Sequence, residues 1–181
     1  MPRLGPPATD LHASFLAALG EFRDEGRLGR DDSTGLAMEA RAGIPGLDDL
    51  EGFAAYVAGL QARARPETPR PPGYVPDTVL WFGEGTEFIG RLSIRHELTE
   101  ILREMGGHIG YDVRPSERRR GHATEMLRQA LPMAAALGLD PVLITCDVAN
   151  IGSRKVIEAN GGVLENERHG KLRFWVPTRP A

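Results

Sequence analysis

Arg118-Arg119-Arg120-Gly121-His122-Ala123 is the stretch whose residue types and spacing can do the most chemistry. It stands between an apolar, strand-like run, His108–Val113, and a helix-like segment from about Arg120 to Leu137. A strand that feeds a helix through a small-residue turn aims several free backbone N–H groups at one point, and the helix dipole adds to their attraction for an anion. Gly121 lets the backbone approach a phosphate closely, and Ala123 keeps the first turn narrow. The three arginines can neutralise a polyphosphate through planar donor forks, although a run of arginines also suits a solvated face. The ligand implied is a phosphorylated cofactor carrying a pyrophosphate. The turn is not a P-loop, because no Gly-Lys-Ser/Thr ends it, and it lacks the Gly-x-Gly-x-x-Gly of a dinucleotide site.

In its context the turn resembles the signature of the GNAT superfamily of acyl-CoA-dependent N-acyltransferases, Gln/Arg-x-x-Gly-x-Gly/Ala, met here by Arg118, Gly121 and Ala123. The Asn that this family usually places after the next strand is met by Asn150, in VLITCDVAN before IGSRKVIEANGG. The resemblance runs roughly from Thr78 to Trp175, and the segments GGHIGY, VRPSERR, TCD and NGGVLENE are similar to those of a bacterial acetyltransferase group. It implies an α/β fold, a mixed central sheet with splayed middle strands and about four flanking helices, with acetyl-CoA as co-substrate in the gap. A bulge near Tyr111, Asp112 and Val113 would free N–H groups for the pantetheine arm and the thioester carbonyl. Backbone N–H groups of Arg119, Arg120, Gly121, His122, Ala123 and Thr124 would hold the pyrophosphate, with the Arg118 and Arg120 side chains and the Thr124 hydroxyl as partners. Asn150 would bond the pantetheine amides or, alternatively, cap the helix that follows. Ser153 would assist the cofactor or simply belong to that helix's first turn.

Acyl transfer to an amine that is protonated at neutral pH needs a base. His108 occupies the position where some members of the family carry an acidic residue, and an imidazole near its ordinary pKa suits the task; the alternative is a histidine packed at a strand start and bonded to backbone. His96, Glu97 and Glu100 are further candidates, while His122 faces solvent or cofactor and His169 lies in a turn. The family's usual Tyr in the last helix, aligned on Gly161, becomes Ile157, and the Phe after that glycine becomes Gly162. Tyr111 is then the nearest hydroxyl for the departing thiolate. Cys146, the only cysteine, lies in an apolar run and reads as a small buried hydrophobe, so direct attack by the amine is favoured over a ping-pong route. No metal is implied.

The elements that must position these groups follow from periodicity. Leu11, Phe15, Leu16, Leu19 and Phe22 predict a helix over 10–25, capped by Thr9 or Asp10 and ended by Gly26; Leu50, Phe53, Ala54, Val57 and Leu60 predict a second over about 47–64. PETPRPPGYVP (66–76) is a loop or stiff spacer. TVLWF and EFIGRLSIR form a hairpin around Gly83–Thr86, HELTEILREMGG a loop or helical turn, and Pro141–Asp147 a strand. Ile151–Asn160 is a short helix, Val163–Glu167 and Leu172–Val176 a final strand pair, and Arg3–Leu4 a faint first strand. Pro132 predicts a kink in its helix.

A chain of 181 residues with 41% hydrophobic residues suits one domain, here 1–181: a helical acceptor-side segment with the Pro-rich loop over 1–76, and an acyl-CoA-binding core over 78–176. A net charge of -3 argues against a nucleic-acid partner, and no run is long enough to span a membrane. One cysteine and no signal-like apolar stretch in MPRLGPPATDLH lead us to expect a cytoplasmic protein. The resemblance implies N-acetylation of a primary amine on a small molecule or peptide, with Asp48, Asp49, Glu51, Glu97 and Glu100 able to attract a cationic acceptor and Phe174 and Trp175 able to wall its pocket. A non-catalytic acyl-CoA sensor or scaffold is the alternative, and a nucleotide-binding domain of unrelated fold a third reading. Dimers are frequent in the family, so a homodimer stays open, although no exposed apolar stripe demands one.

Overall fold

The strands that open the second half of the chain are apolar on both faces, and helices cover both. A computed structural model describes residues 1–32, 34–42 and 46–179. β1 (Arg3–Gly5) is followed by α1 (His12–Asp24), α2 (Gly35–Ala42) and α3 (Leu50–Ala62), then by the hairpin β2 (Asp77–Glu84) and β3 (Glu87–Arg95). β4 (Ile109–Val113), α4 (His122–Ala136), β5 (Val142–Asp147), α5 (Ile151–Ala159), β6 (Val163–Arg168) and β7 (Lys171–Val176) complete the described elements. Alternation along β2 sends Val79 and Trp81 into a core with α1, α2 and α3, and Leu80 and Phe82 into a second core under α4.

Local chemistry sets the helix ends. A 3-10 turn, Thr9–Leu11, precedes α1, and neither Thr9 nor Asp10 caps it through a side chain, contrary to expectation. Gly26, at φ +72°, ends α1 as expected. α3 is capped by Asp49, whose Oδ1 accepts from the Gly52 N–H at 2.7 Å. α2 was not foreseen, so the described helices number five rather than four. The segment before β4 closes as a π-helical turn, Leu102–Gly106, and α4 runs on through Pro132.

Two antiparallel sheets result, ordered β1-β2-β3-β4 and β5-β7-β6. They meet at a single isolated bridge, Gly107 to Ile144, and diverge beyond it. His108 ties this vertex to both sides: its C=O accepts from Arg95 of β3 at 2.7 Å, and its N–H donates to Leu143 of β5 at 2.7 Å.

Candidate active site

The divergence of β4 from β5 is the origin of the site. Arg114 N–H donates to Ile89 C=O and Arg95 N–H to His108 C=O, which fixes the phase of the β3–β4 ladder. By antiparallel alternation Asp112 and Gly110 then turn their backbone groups toward β3, while Ile109, Tyr111 and Val113 turn theirs toward the gap. No bulge lies near Tyr111–Val113; the ladder keeps register from Ile94–Ile109 to Gly90–Val113. The free donors of this edge come from splaying, and the Asp112 backbone is not among them. Both points correct the expectation from sequence.

At the far end of β4 an open cleft of about 940 Å³ is walled by Tyr111, Val113, the turn Glu117–Thr124 and the start of α5. Arg119 (φ +63°) and Gly121 (φ +81°) both take left-handed backbone, curling the turn into a concave nest at the start of α4. No side chain caps α4. Among the described residues, the N–H groups from Arg119 to Thr124 have no intramolecular acceptor. Six convergent donors without a partner fit a pyrophosphate.

The arginines divide. Arg119 lines the cleft and has no ion-pair partner among the described residues. Arg118 also lines it, but its Nε donates to the Val113 carbonyl at 3.1 Å and its Nη1 to Glu25 at 2.8 Å, so it fastens the turn to α1. Arg120 pairs with Glu117 at 3.0 Å and does not line the cleft, which corrects its expected role as a side-chain phosphate partner. Arg114 reinforces the attachment, its Nε donating to Glu21 at 2.7 Å, and Ser116 N–H donates to the same carboxylate at 3.0 Å. The C-terminal half of α1 therefore positions the anion turn. His122 lies on the cleft wall near Glu117, 3.4 Å away, and Thr124 and Ala123 line it as well.

On the opposite wall Asn150 caps α5, its Oδ1 accepting from Ser153 N–H at 2.9 Å. Its Nδ2 keeps no protein partner among the described residues and faces a cleft that Asn150 lines. Tyr111 reaches across from β4, with its hydroxyl 2.8 Å from Ser153 Oγ. Burial pushes the Tyr111 pKa up despite that hydrogen bond, so the phenol stays protonated. Cys146 is buried and its thiol is likewise pushed up by burial.

His108 does not fit the base role. Leu143 N–H donates to its Nδ1 at 2.8 Å, which leaves the ring proton on Nε2 and no free lone pair. Burial, with Arg103 and Arg95 adding, lowers its pKa to about 4. The residue is 8% exposed and outside the cleft lining. The unfolded chain takes up a proton below pH 6.5 while the folded one stays neutral to about 4, so stability falls as pH falls through that window, by up to about 3 kcal/mol. His108→Gln is expected to flatten that part of the stability–pH curve, as read from urea midpoints; an unchanged slope would refute the assignment. His96 bonds Thr78 Oγ1 at 2.8 Å and, with Glu97 and Glu100, also lies outside the lining. His169 is exposed, with Nε2 3.7 Å from Glu104.

One wall was missed from sequence. Gly26, Arg27, Asp31, Asp32 and Thr34, between α1 and α2, line the cleft. Arg27 donates to Asp112 at 2.9 Å and to Asp32 at 3.0 Å, tying this loop to β4. Asp32 also accepts from the N–H groups of Leu28 and Thr34, and these bonds outweigh burial, lowering its pKa to about 2. An aspartate at position 32, able to bond the N–H two residues on, is the only hint the sequence carried.

Splayed antiparallel sheets, an edge of free donors and an N–H nest at a helix start together define an acyl-CoA-type binding fold. The family model of the acetyltransferase (GNAT) domain matches residues 36–163, and the chain belongs to that family. As a member of that family it is an acetyltransferase with acetyl-CoA as co-substrate. No curated protein sequence matches the chain. Among solved structures it is similar to Mycobacterium smegmatis RimJ in complex with CoA-disulfide, at 23% identity and TM-score 0.64 over 97% of this chain and 81% of that one. It is also similar to the microcin C7 self-immunity acetyltransferase MccE in complex with acetyl-CoA and AMP, at 13% identity and TM-score 0.63 over 97% and 92%. A third is RimL, a ribosomal L7/L12 alpha-N-protein acetyltransferase in complex with coenzyme A, at 17% identity and TM-score 0.61 over 96% and 92%. These likenesses are of fold. No described helix is long and apolar enough to cross a membrane.

Proposed function

We propose that the protein transfers an acetyl group from acetyl-CoA to a primary amine of a small molecule or peptide. The amine, having lost its proton to solvent water, attacks the thioester directly; the C–N bond forms as the C–S bond breaks, and CoA leaves as the thiol. The observation that carries this reading is the continuity of the cleft: one cavity joins the N–H nest of Arg119–Thr124 to the free edge of β4 at Tyr111 and Val113. Acetyl-CoA, when bound, supplies an acyl group activated as a thioester. The nest would hold its pyrophosphate, Asn150 Nδ2 would donate to the pantetheine, and the Tyr111 and Val113 N–H groups would bind the arm and the thioester carbonyl. The buried thiol of Cys146 supports direct attack over an acyl-enzyme route.

Ile157 offers no hydroxyl at the position aligned with the family tyrosine, and it is fully buried. Tyr111, protonated and hydrogen-bonded to Ser153, enters the cleft from the facing wall and is the proton donor for the departing sulfur. Tyr111→Phe is expected to lower kcat about a hundredfold while leaving the acetyl-CoA Kd within about twofold, as a phenol lost from catalysis and not from binding would do. Equal kcat in the variant, measured by thiol release with an amine panel, would remove Tyr111 from the chemistry. Absence of thiol release from the wild-type protein with every amine, despite tight acetyl-CoA binding, would favour the sensor reading instead.

A further inference from the structure

Arg95 is out of place among the buried cations. Of the three strand arginines that are not exposed, Arg91 meets Glu39 at 2.7 Å and Arg173 meets Glu165 at 3.1 Å, while Arg95 meets no carboxylate among the described residues. Asp77, opposite Arg95 in the β2–β3 ladder, is held by Arg63 through both carboxylate oxygens. Burial lowers the Arg95 pKa; the field of Asp77 opposes that, Arg63 and Arg91 add to it, and the net direction is down, whereas Arg27, Arg63 and Arg91 are all raised by their carboxylates. A half-buried guanidinium with no carboxylate in contact, and with the field of Asp77 shared with Arg63, is costly to keep.

Its geometry shows what would offset that cost. Nη1 donates to the Gly106 carbonyl at 3.2 Å and the Gly107 carbonyl at 3.0 Å, which fixes the plane of the group. Nε and Nη2, the two parallel donors of the other edge, have no protein partner among the described residues. Neither is among the buried nitrogens left unsatisfied, so both keep a path to solvent. The guanidinium lies over Gly110, where a methyl group would stand 3.8 Å from Nη1 and Nη2. Gly110 precedes Tyr111, whose N–H opens into the gap. Arg95 shares its sheet face with Asp112, on the side of α1 and α2, opposite the core under α4, and stands outside the lining of the cleft that holds the N–H nest, so an acceptor on it would approach the gap from the face of α1 and α2.

We propose that the Nε/Nη2 edge of Arg95 binds an oxyanion carried by the acceptor, so that the substrate is an amine bearing a carboxylate or phosphate a few bonds from its nitrogen. This rests on the acetyltransferase reading above and names its substrate class. The fork is oriented before the acceptor arrives, matches two oxygens at once, and stands about one residue from the edge that would hold the thioester. Arg103, also without an ion-pair partner among the described residues, adds positive charge at the same vertex.

The test uses product-like probes on the CoA-saturated protein: N-acetylglycine, its neutral counterpart N-acetylglycinamide, and inorganic phosphate, followed by the Arg95 Nε–H resonance and by affinity. N-acetylglycine or phosphate is expected to shift that resonance and bind at least about tenfold tighter than the amide; which of the two binds tighter assigns the oxyanion. Arg95→Gln is expected to abolish the preference and Arg95→Lys to keep part of it, with melting temperatures recorded for both. Equal affinity for acid, phosphate and amide, or a preference that survives Arg95→Gln, overturns the proposal; the wild-type comparison decides even if a variant fails to fold. CoA binding is read separately from the amides of Gly121 and Ala123. Its absence would break the acetyltransferase reading, whereas CoA binding without anion preference would break only this inference.

Discussion

Glu39→Leu is expected to destabilise the protein by about 3–5 kcal/mol, the cost of leaving a buried charge without its partner. Arg91 is 3% exposed and, among the described residues, its only side-chain partner is Glu39, which accepts from Nη1 at 2.7 Å and Nη2 at 2.9 Å. The same carboxylate accepts from Tyr56 Oη at 2.9 Å and from Arg63. Burial alone would raise the Glu39 pKa, but Arg91 and Arg63 reverse the sign and hold it low. The pair sits between α2 and β3 and fastens the helix that follows the cleft-lining residues Gly26, Arg27, Asp31, Asp32 and Thr34. The double variant Glu39→Leu/Arg91→Met is expected to recover most of the loss, since an apolar pair of similar volume replaces a buried ion pair at little net cost; Arg63 keeps Asp77. Urea midpoints of the two single variants and the double variant measure the coupling. Additive losses would show that the pair contributes nothing through its contact.

Gly107→Ala is expected to cost roughly 2–4 kcal/mol and to weaken CoA binding about tenfold. Gly107 has φ +67°, and a methyl group there would stand 2.5 Å from the Leu143 carbonyl oxygen and 3.2 Å from Ile144 Cα, both backbone atoms. β4 and β5 would have to separate at the one bridge that sets the vertex of the gap. The two hydrogen bonds between His108 and Leu143 would be strained with it. Gly121→Ala is the useful contrast: it shares a positive φ but meets nothing within 4 Å, so its cost is confined to backbone strain of about 1 kcal/mol. Similar stability losses at both positions would contradict a rigid vertex.

The strand–turn–helix order around Gly121 was legible because its composition is local: an apolar run, Gly and small residues at the turn, then helical periodicity. The splayed fold came from the resemblance of that turn and of Asn150 to a known family. Three features were not legible, each because a partner distant in sequence decides it. Arg91 in EFIGRLSIR reads as the solvent side of an alternating strand, and Glu39 fifty-two positions earlier makes it a core residue. GLAMEARA is too short to declare a helix by periodicity; α2 is held by burial of Leu36 and Ala37 and by the Glu39 contacts. His108 reads equally as a base and as a histidine packed at a strand start and bonded to backbone; only Leu143, in another strand, decides for the second by taking its lone pair. The free donors of β4 were placed on a bulge, but they arise from two sheets parting after one bridge, a tertiary event without a local mark.

The account stands on the cleft between β4 and β5 being the seat of acetyl-CoA, and a melting curve with acetyl-CoA, CoA, NAD and ATP tests that most directly. Ligand at a hundredfold its Kd should add about 2.7 kcal/mol, roughly 5–11 °C for a chain of this size. The account predicts a shift of that order with acetyl-CoA and CoA alone, lost when Gly121 is replaced by proline, which cannot hold the left-handed backbone of the turn and removes an N–H from the nest. No shift with either CoA species, or a larger one with ATP or NAD, would contradict it.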